Sequence, residues 1–274
     1  MNQEQQAPRR TRPRPTFRSL QVVRVERPTP SLVRVTLSGP ELDGYESRGP
    51  AEHIRMWLPQ AGYEKPVMPE WTDDGPVMAE GVERPLNRVY TPLRHNPGTK
   101  ELDIEIVLHP GSGGPGSQWA EMAAAGQWVV IAGPAGPYAL DTTAERFVIA
   151  ADHAGLPAVS TVLAALPSTV KADLYLEVES EDEAFELTSS ATLDVHWLPA
   201  GHNAEPGSAL LGALTSAAIA DEARVFVACE AGAMREIRKH LLYRRGLLKE
   251  HIHTHGYWKR GEANHPDHDL GDDV

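Results

Sequence analysis

Arg88-Val89-Tyr90-Thr91, then the strand-like run 102–108, then His109-Pro-Gly-Ser-Gly-Gly-Pro-Gly-Ser117: this stretch decides the fold. Side chains alternate along a strand, so Arg88 and Tyr90 share one face and Thr91 points to the other. In the second piece a strand feeds a glycine-rich loop, and the loop feeds a helix running to Ala125 and ended by Gly126. Glycines let backbone amides approach an anion closely. A helix start near Ser117 adds free N–H groups and a positive dipole end. The loop is not a Walker A loop, because no Gly-Lys-Ser/Thr follows, and it lacks the G-x-G-x-x-G spacing. Each piece alone also has a plain reading, as an edge strand with a surface arginine and as an ordinary strand–helix connection.

Outward from this stretch, the N-terminal half is β in character. Residues 19–27 and 32–38 alternate apolar and polar, and 53–58, 88–91, 102–108 and 127–132 are further short strands punctuated by Gly and Pro. Short strands at this spacing predict a small antiparallel β-barrel. The Pro-rich stretch 59–85 reads as a surface excursion. Beyond Asp141 the rhythm changes: strands at 146–151, 172–178, 193–198, 224–229 and 251–255 alternate with helices at 156–166, 208–219 and 233–245. That alternation predicts an α/β domain with a parallel sheet. The expected organisation is a basic disordered tail at 1–16, a barrel domain at 17–140, an α/β nucleotide-binding-like domain at 141–261, and an acidic, His-containing tail at 262–274.

Composition narrows the function classes. The 274 residues are 41% hydrophobic, enough for a sizeable core, and no apolar run is long enough to span a membrane. The net charge of −12 argues against general nucleic-acid binding. A single cysteine, Cys229, excludes an internal disulfide framework and a Cys-ligated cluster, which fits a cytoplasmic protein. Arg9-Arg10 is not followed by an apolar segment, so no secretory signal is read.

The two pieces of the deciding stretch reinforce each other. An arginine can neutralise a diphosphate, a tyrosine can pack on a flavin, and a threonine hydroxyl can reach a ring heteroatom. Further along, Cys229 stands at the end of a predicted parallel strand, where open α/β sheets bind ligands. It reads either as a small buried apolar residue or as a nicotinamide contact. Trp258 and Tyr257 read either as ring-stacking partners or as anchors of the last segment. His251, His253 and His255 alternate and so share one strand face, but edge solvation is favoured over zinc and no metal site is assigned.

The sequence resembles the siderophore-interacting protein family, the FAD-dependent ferric-siderophore reductases, from about residue 17 to residue 261. The resemblance rests on Leu32-Val-Arg-Val-Thr-Leu-Ser-Gly-Pro-Glu-Leu42, Arg88-Val-Tyr-Thr91, Leu102-Asp-Ile-Glu-Ile-Val-Leu-His109 and Gly114-Pro-Gly-Ser-Gln-Trp119. Ile131-Ala-Gly-Pro134, Leu156-Pro-Ala158, Glu230-Ala-Gly232 and Gly256-Tyr-Trp-Lys-Arg-Gly261 extend it. It implies that Arg88, Tyr90 and Thr91 hold the flavin ring and phosphate region. It also implies that His109, Gly114, Gly116, Ser117 and Trp119 lie along the ribityl and diphosphate part. There are departures. The arginine expected soon after Tyr-Thr appears late, as Arg94. The family's Gly-Asp-Glu-Thr-Ala-Leu-Pro-Ala reads Ala151-Asp-His-Ala-Gly-Leu-Pro-Ala158, keeping Asp152 but bringing His153 and Ala154, and Ala-Gly-Glu reads Ala228-Cys229-Glu230.

The expected function is reduction of ferric siderophore iron by FAD, with electrons from NAD(P)H or ferredoxin. NADH is expected over NADPH. The strand ending Leu176-Glu177-Val178-Glu179 offers a carboxylate, Glu179, to a ribose 2′-hydroxyl, and no Arg or Lys lies between Lys171 and Asp194 to receive a 2′-phosphate. Arg55, Lys259 and Arg260, with Arg94, are candidates for meeting an anionic chelate; surface charges that aid solubility are the alternative. Two other functions stay open: a flavin reductase for a different acceptor, and a siderophore-binding module without turnover.

Overall fold

The structure is a computed structural model that describes residues 16–72, 75–108, 114–201, 204–262 and 265. The first sheet is antiparallel. It contains β1 (Phe17–Thr29), β2 (Leu32–Ser38), β3 (His53–Trp57), β6 (Asn87–Tyr90), β7 (Pro92–Asn96), β8 (Glu101–Val107) and β9 (Trp128–Ala135), in the order β6-β3-β9-β1-β2-β8-β7. Its two edge strands, β6 and β7, are consecutive in the chain and joined at Thr91, which rolls the sheet toward closure. Leu20, Val33, Val35, Leu37, Ile54, Met56, Leu102 and Ile104 fill its inside, and α1 (Pro115–Glu121) closes one end through Ala120.

The second sheet is parallel, as alternating strands and helices demand. It comprises β10 (Arg146–Asp152), β11 (Lys171–Val178), β12 (Thr192–Pro199), β13 (Arg224–Glu230) and β14 (Ile252–Trp258), in the order β12-β11-β10-β13-β14. Helix α2 (Leu156–Ala165) covers one face, packing on Phe147, Ile149, Leu174 and Phe226. Helices α3 (Ser208–Ser216) and α4 (Ala231–Lys239) cover the other, packing on Val148, Ala150, Val225 and Val227. Among the described residues no helix is long and apolar enough to cross a membrane.

Several elements differ from expectation. Helix α1 ends at Glu121 rather than Ala125, because the chain turns by i→i−3 bonds at Met122 and Ala123 before Gly126 takes φ +95°. The excursion contains a small hairpin, β4 (Glu70–Thr72) with β5 (Gly75–Val77). β7 was not foreseen, since Pro92 marks it as a non-strand by composition; it survives as an edge strand, where a missing N–H is tolerated. Helix α4 starts two residues early and runs into a π-helical turn, His240–Arg244. His251 lies in a 3-10 turn ahead of β14 with its ring against the Asp221 carbonyl, so only His253 and His255 share the strand face. Among the described residues no group of three or more His, Cys, Asp or Glu can hold a metal.

Candidate functional site

Arg88 and Tyr90 lie on β6 opposite Met56 and Ile54 of β3. Those partners are fully buried, so Arg88 and Tyr90 face the inside of the sheet, where α1 packs. A Cβ on Gly116 would stand 2.4 Å from the Tyr90 hydroxyl and 3.2 Å from Arg88 Cγ; one on Gly114 would stand 3.9 Å from Arg88 Nη2. Glycine at 116 is therefore what allows both side chains to reach the start of α1. Arg88 Nη1 donates to the Asn87 carbonyl at 2.7 Å, and among the described residues no carboxylate neutralises it. Burial pushes the Tyr90 phenol well above its usual range, against the opposing pull of Arg88, so it stays a neutral donor. Thr91 is buried at the β6–β7 junction, and Trp119 packs against the barrel core. His109 lies outside the described residues.

The carboxyl edge of the second sheet is built differently, because strand-end carboxylates cap α3, α4 and the 3-10 turn that leads into α2. Asp152 Oδ1 accepts from the N–H groups of Ala154 (3.0 Å) and Gly155 (3.3 Å) at the entry to α2. Its Oδ2 accepts from Glu230 N–H (2.8 Å) and from the Trp258 indole (2.7 Å). Glu177, from β11, accepts from Gly207 (2.7 Å), Ala209 (2.9 Å) and Leu210 (3.2 Å) at the start of α3. Glu230 accepts from Ala233 (2.9 Å) in the first turn of α4. Burial pushes Asp152 up to about 6, although the Trp258, Glu230 and Gly155 donors pull it down. Helix α1 opens on glycine instead: its N-cap is Gly114, and Arg88 stands over it. A guanidinium beside a glycine-opened helix start is a donor set for a diphosphate. The residues thus fit FAD: Arg88 and the α1 amides would hold its diphosphate, with Tyr90 beside them.

Several expected contacts are corrected. Cys229 has no exposed surface. Val225, Val227 and Cys229 alternate onto the α3/α4 face, which places the thiol in the core rather than on a ligand-facing surface. Asp152 has both oxygens committed to fold contacts, and Trp258 is one of its donors through the indole N–H. Tyr257 packs beside the α2-face core, 5.0 Å from His255. Glu179 follows the end of β11 and is half-buried; the strand's fully buried carboxylate is Glu177. Arg94 is drawn to Asp103 of β8 at 2.7 Å. Lys259 pairs with Glu262, and Arg260 with Glu205 at 2.9 Å. Arg260 moreover lines a cavity of about 280 Å³ between the starts of α3 and α4, with Glu205, Gly207, Leu211, Glu230 and Glu236. Arg55 is exposed and donates to the neutral Asn87 amide at 2.9 Å.

Sequence reading missed Glu177 and the capping role of Glu230. Glu177 caps a helix 30 residues downstream, which no local motif announces. Glu230 stands three residues before Ala233, in the local N-cap spacing, and could have been read.

Comparison with known proteins gives the same picture. The pattern described as "Siderophore-interacting FAD-binding domain" matches residues 21–138, and that described as "Siderophore-interacting protein" matches residues 144–261. The ferric vibriobactin reductase of Vibrio cholerae is 30% identical over 254 residues, 92% of this chain and 93% of that protein. The NADPH-dependent ferric-chelate reductase of Escherichia coli is 34% identical over 201 residues, 72% of this chain and 77% of that one. The crystal structure of a siderophore utilization protein from T. fusca superposes with a TM-score of 0.80 at 32% identity, covering 92% of this chain and 96% of that one. With its FAD-binding antiparallel sheet followed by a parallel nucleotide-binding-like sheet, the chain belongs to the siderophore-interacting protein family.

Proposed function

We propose that this protein is an FAD-dependent reductase that converts ferric siderophore iron to the ferrous state, with NADH as its electron donor. The observation that carries it is Arg88 standing over the glycine-opened start of α1, where a side chain at Gly116 would meet both Arg88 and Tyr90. FAD, when bound, turns a two-electron hydride donor into a one-electron reductant, which ferric iron requires. The chain binds and orients; none of its side chains need act as nucleophile or general base. Ferrous iron is held more weakly by hard oxygen donors, so reduction releases it.

The cavity between α3 and α4 supports NADH over NADPH. Glu205, Glu230 and Glu236 line it, and its cation, Arg260, is already paired with Glu205. Carboxylates accept from ribose hydroxyls and repel a 2′-phosphate. Glu179, just past the end of β11, is the proposed partner of the ribose. Ferredoxin is the alternative donor. A cytoplasmic site of action belongs to this reading, and the lone buried thiol fits it.

Anaerobic mixing tests the reading. The purified protein should carry FAD, NADH should bleach its flavin band faster than NADPH does, and a ferric siderophore should restore the band while a ferrous chelator traps the product. A protein left colourless after FAD addition would sink the cofactor assignment. Flavin that neither nicotinamide reduces would move the donor to ferredoxin, and reduced flavin that ignores ferric chelates would move the acceptor elsewhere.

A further inference from the structure

Two sheets that hold two reactants must meet through a defined joint, and one residue sits at its centre. Ser31, in the β1–β2 turn, makes three polar contacts. Its N–H donates to Glu183 Oε1 at 3.1 Å. Its carbonyl accepts from Leu108 N–H at 2.7 Å, directly before the glycine-rich segment. Its hydroxyl lies 3.2 Å from His153 Nε2 and 3.3 Å from Nδ1. The neighbouring Thr29 hydroxyl donates to Glu183 Oε2, and His153 Nε2 lies 3.4 Å from that same oxygen. Glu183 comes from the 3-10 turn after β11, and His153 from the entry to α2. Thr29, Ser31 and Glu183 are each no more than 6% exposed. A carboxylate of the nucleotide-binding-like sheet is thus desolvated inside a turn of the flavin-binding sheet, and its donors come from across the boundary.

We propose that Thr29, Ser31, His153 and Glu183 form a positioning latch that fixes the angle between the two sheets, and with it the distance from donor to flavin. The inference rests on the reductase reading above. Hydride transfer needs reacting atoms about 3–3.5 Å apart, and a misplacement of about 1 Å costs on the order of a hundredfold. An apolar seam can slide, whereas a buried carboxylate with directional partners holds one register, because any shift strands a charge. The same turn is bonded to Leu108, so the latch is tied to the strand that leads into the flavin loop. These four are positioning residues; none is placed to touch a reacting atom.

The test uses full-length, FAD-loaded protein and anaerobic stopped-flow reduction by NADH. Thr29→Val and Glu183→Gln should each lower the limiting rate of reduction per bound flavin about tenfold. The half-saturating NADH concentration and the rate of reoxidation by a ferric chelate should stay within about twofold of the parent. Because both residues serve one contact, the double variant should be little slower than the worse single variant. Should Glu183→Gln not fold, Ser31→Ala, which keeps the N–H and removes only the hydroxyl, should still slow reduction without loss of FAD. A parent-like limiting rate, a loss explained entirely by missing FAD, or multiplicative losses in the double variant would each overturn the latch. Failure of the unmodified protein to be reduced by NADH would instead overturn the donor reading and remove the hydride step the latch is said to serve.

Discussion

Arg88 and Gly116 are the proposed centre of the flavin site, and both were legible as residue types in the sequence, because an arginine on a strand near a glycine-rich helix start has few other chemical uses. Arg88→Ala should weaken FAD binding ten- to a hundredfold, as expected for loss of a charge-assisted contact of about 1.5–3 kcal/mol; titration of apoprotein with FAD measures it. Gly116→Val should match that loss, since its Cβ would collide with the Tyr90 hydroxyl 2.4 Å away. Cys229 shows where residue-scale reading failed. Its position at a strand end suggested a ligand contact, yet its alternation with Val225 and Val227 already placed it on an apolar face. Asp152 failed for the opposite reason: its partners, Glu230 and Trp258, lie 78 and 106 residues away and are invisible locally. Asp152→Asn keeps one acceptor oxygen for Ala154 and Gly155 but sets an NH2 against the Glu230 and Trp258 donors. It should cost about 1–3 kcal/mol for each donor left unsatisfied, read by urea unfolding.

Among the elements, periodicity made the strand–helix alternation of the second sheet readable to within a few residues, while β7 and the β4–β5 hairpin were hidden by their prolines and short length. β14 was foreseen as a strand of histidines, but not what each histidine does. His253 is stacked on Phe226 at 5.4 Å and lies 4.7 Å from Tyr138; burial, with His255 and Arg238 as lesser causes, pulls its pKa from 6.5 to about 4. The folded state keeps this ring neutral where the unfolded chain takes a proton. Its stability contribution is therefore full above pH 6.5 and is lost as pH falls toward 4, at up to about 1.4 kcal/mol per pH unit. Urea unfolding at pH 7 and pH 5 should show this loss in the parent and a smaller one in His253→Phe. Equal pH dependence in the two proteins would mean that another group is responsible.

For the whole molecule, a net charge of −12 must be reconciled with an anionic chelate. Screening confines long-range repulsion to about 8–10 Å at physiological ionic strength, so a local cation decides the outcome. The ion pairs of Arg94 and Arg260 were out of reach of the sequence, because their partners Asp103 and Glu205 are chosen by the fold, whereas Lys259 pairs locally with Glu262, three residues on. Arg55 is exposed and donates to an amide rather than to a carboxylate. Arg55→Gln should therefore weaken binding of an anionic ferric chelate and flatten its salt dependence, while Lys259→Gln leaves both unchanged. Equal effects of the two substitutions would remove Arg55 from the site. Cys229, the chain's single thiol, has no accessible surface and belongs to the second sheet. A thiol reagent such as a maleimide can reach it only when that sheet opens, so labelling acts as a clock for opening in a protein that needs no engineered probe. FAD should slow this clock although it binds the other sheet, and the degree of slowing measures how far the two halves of the molecule open as one.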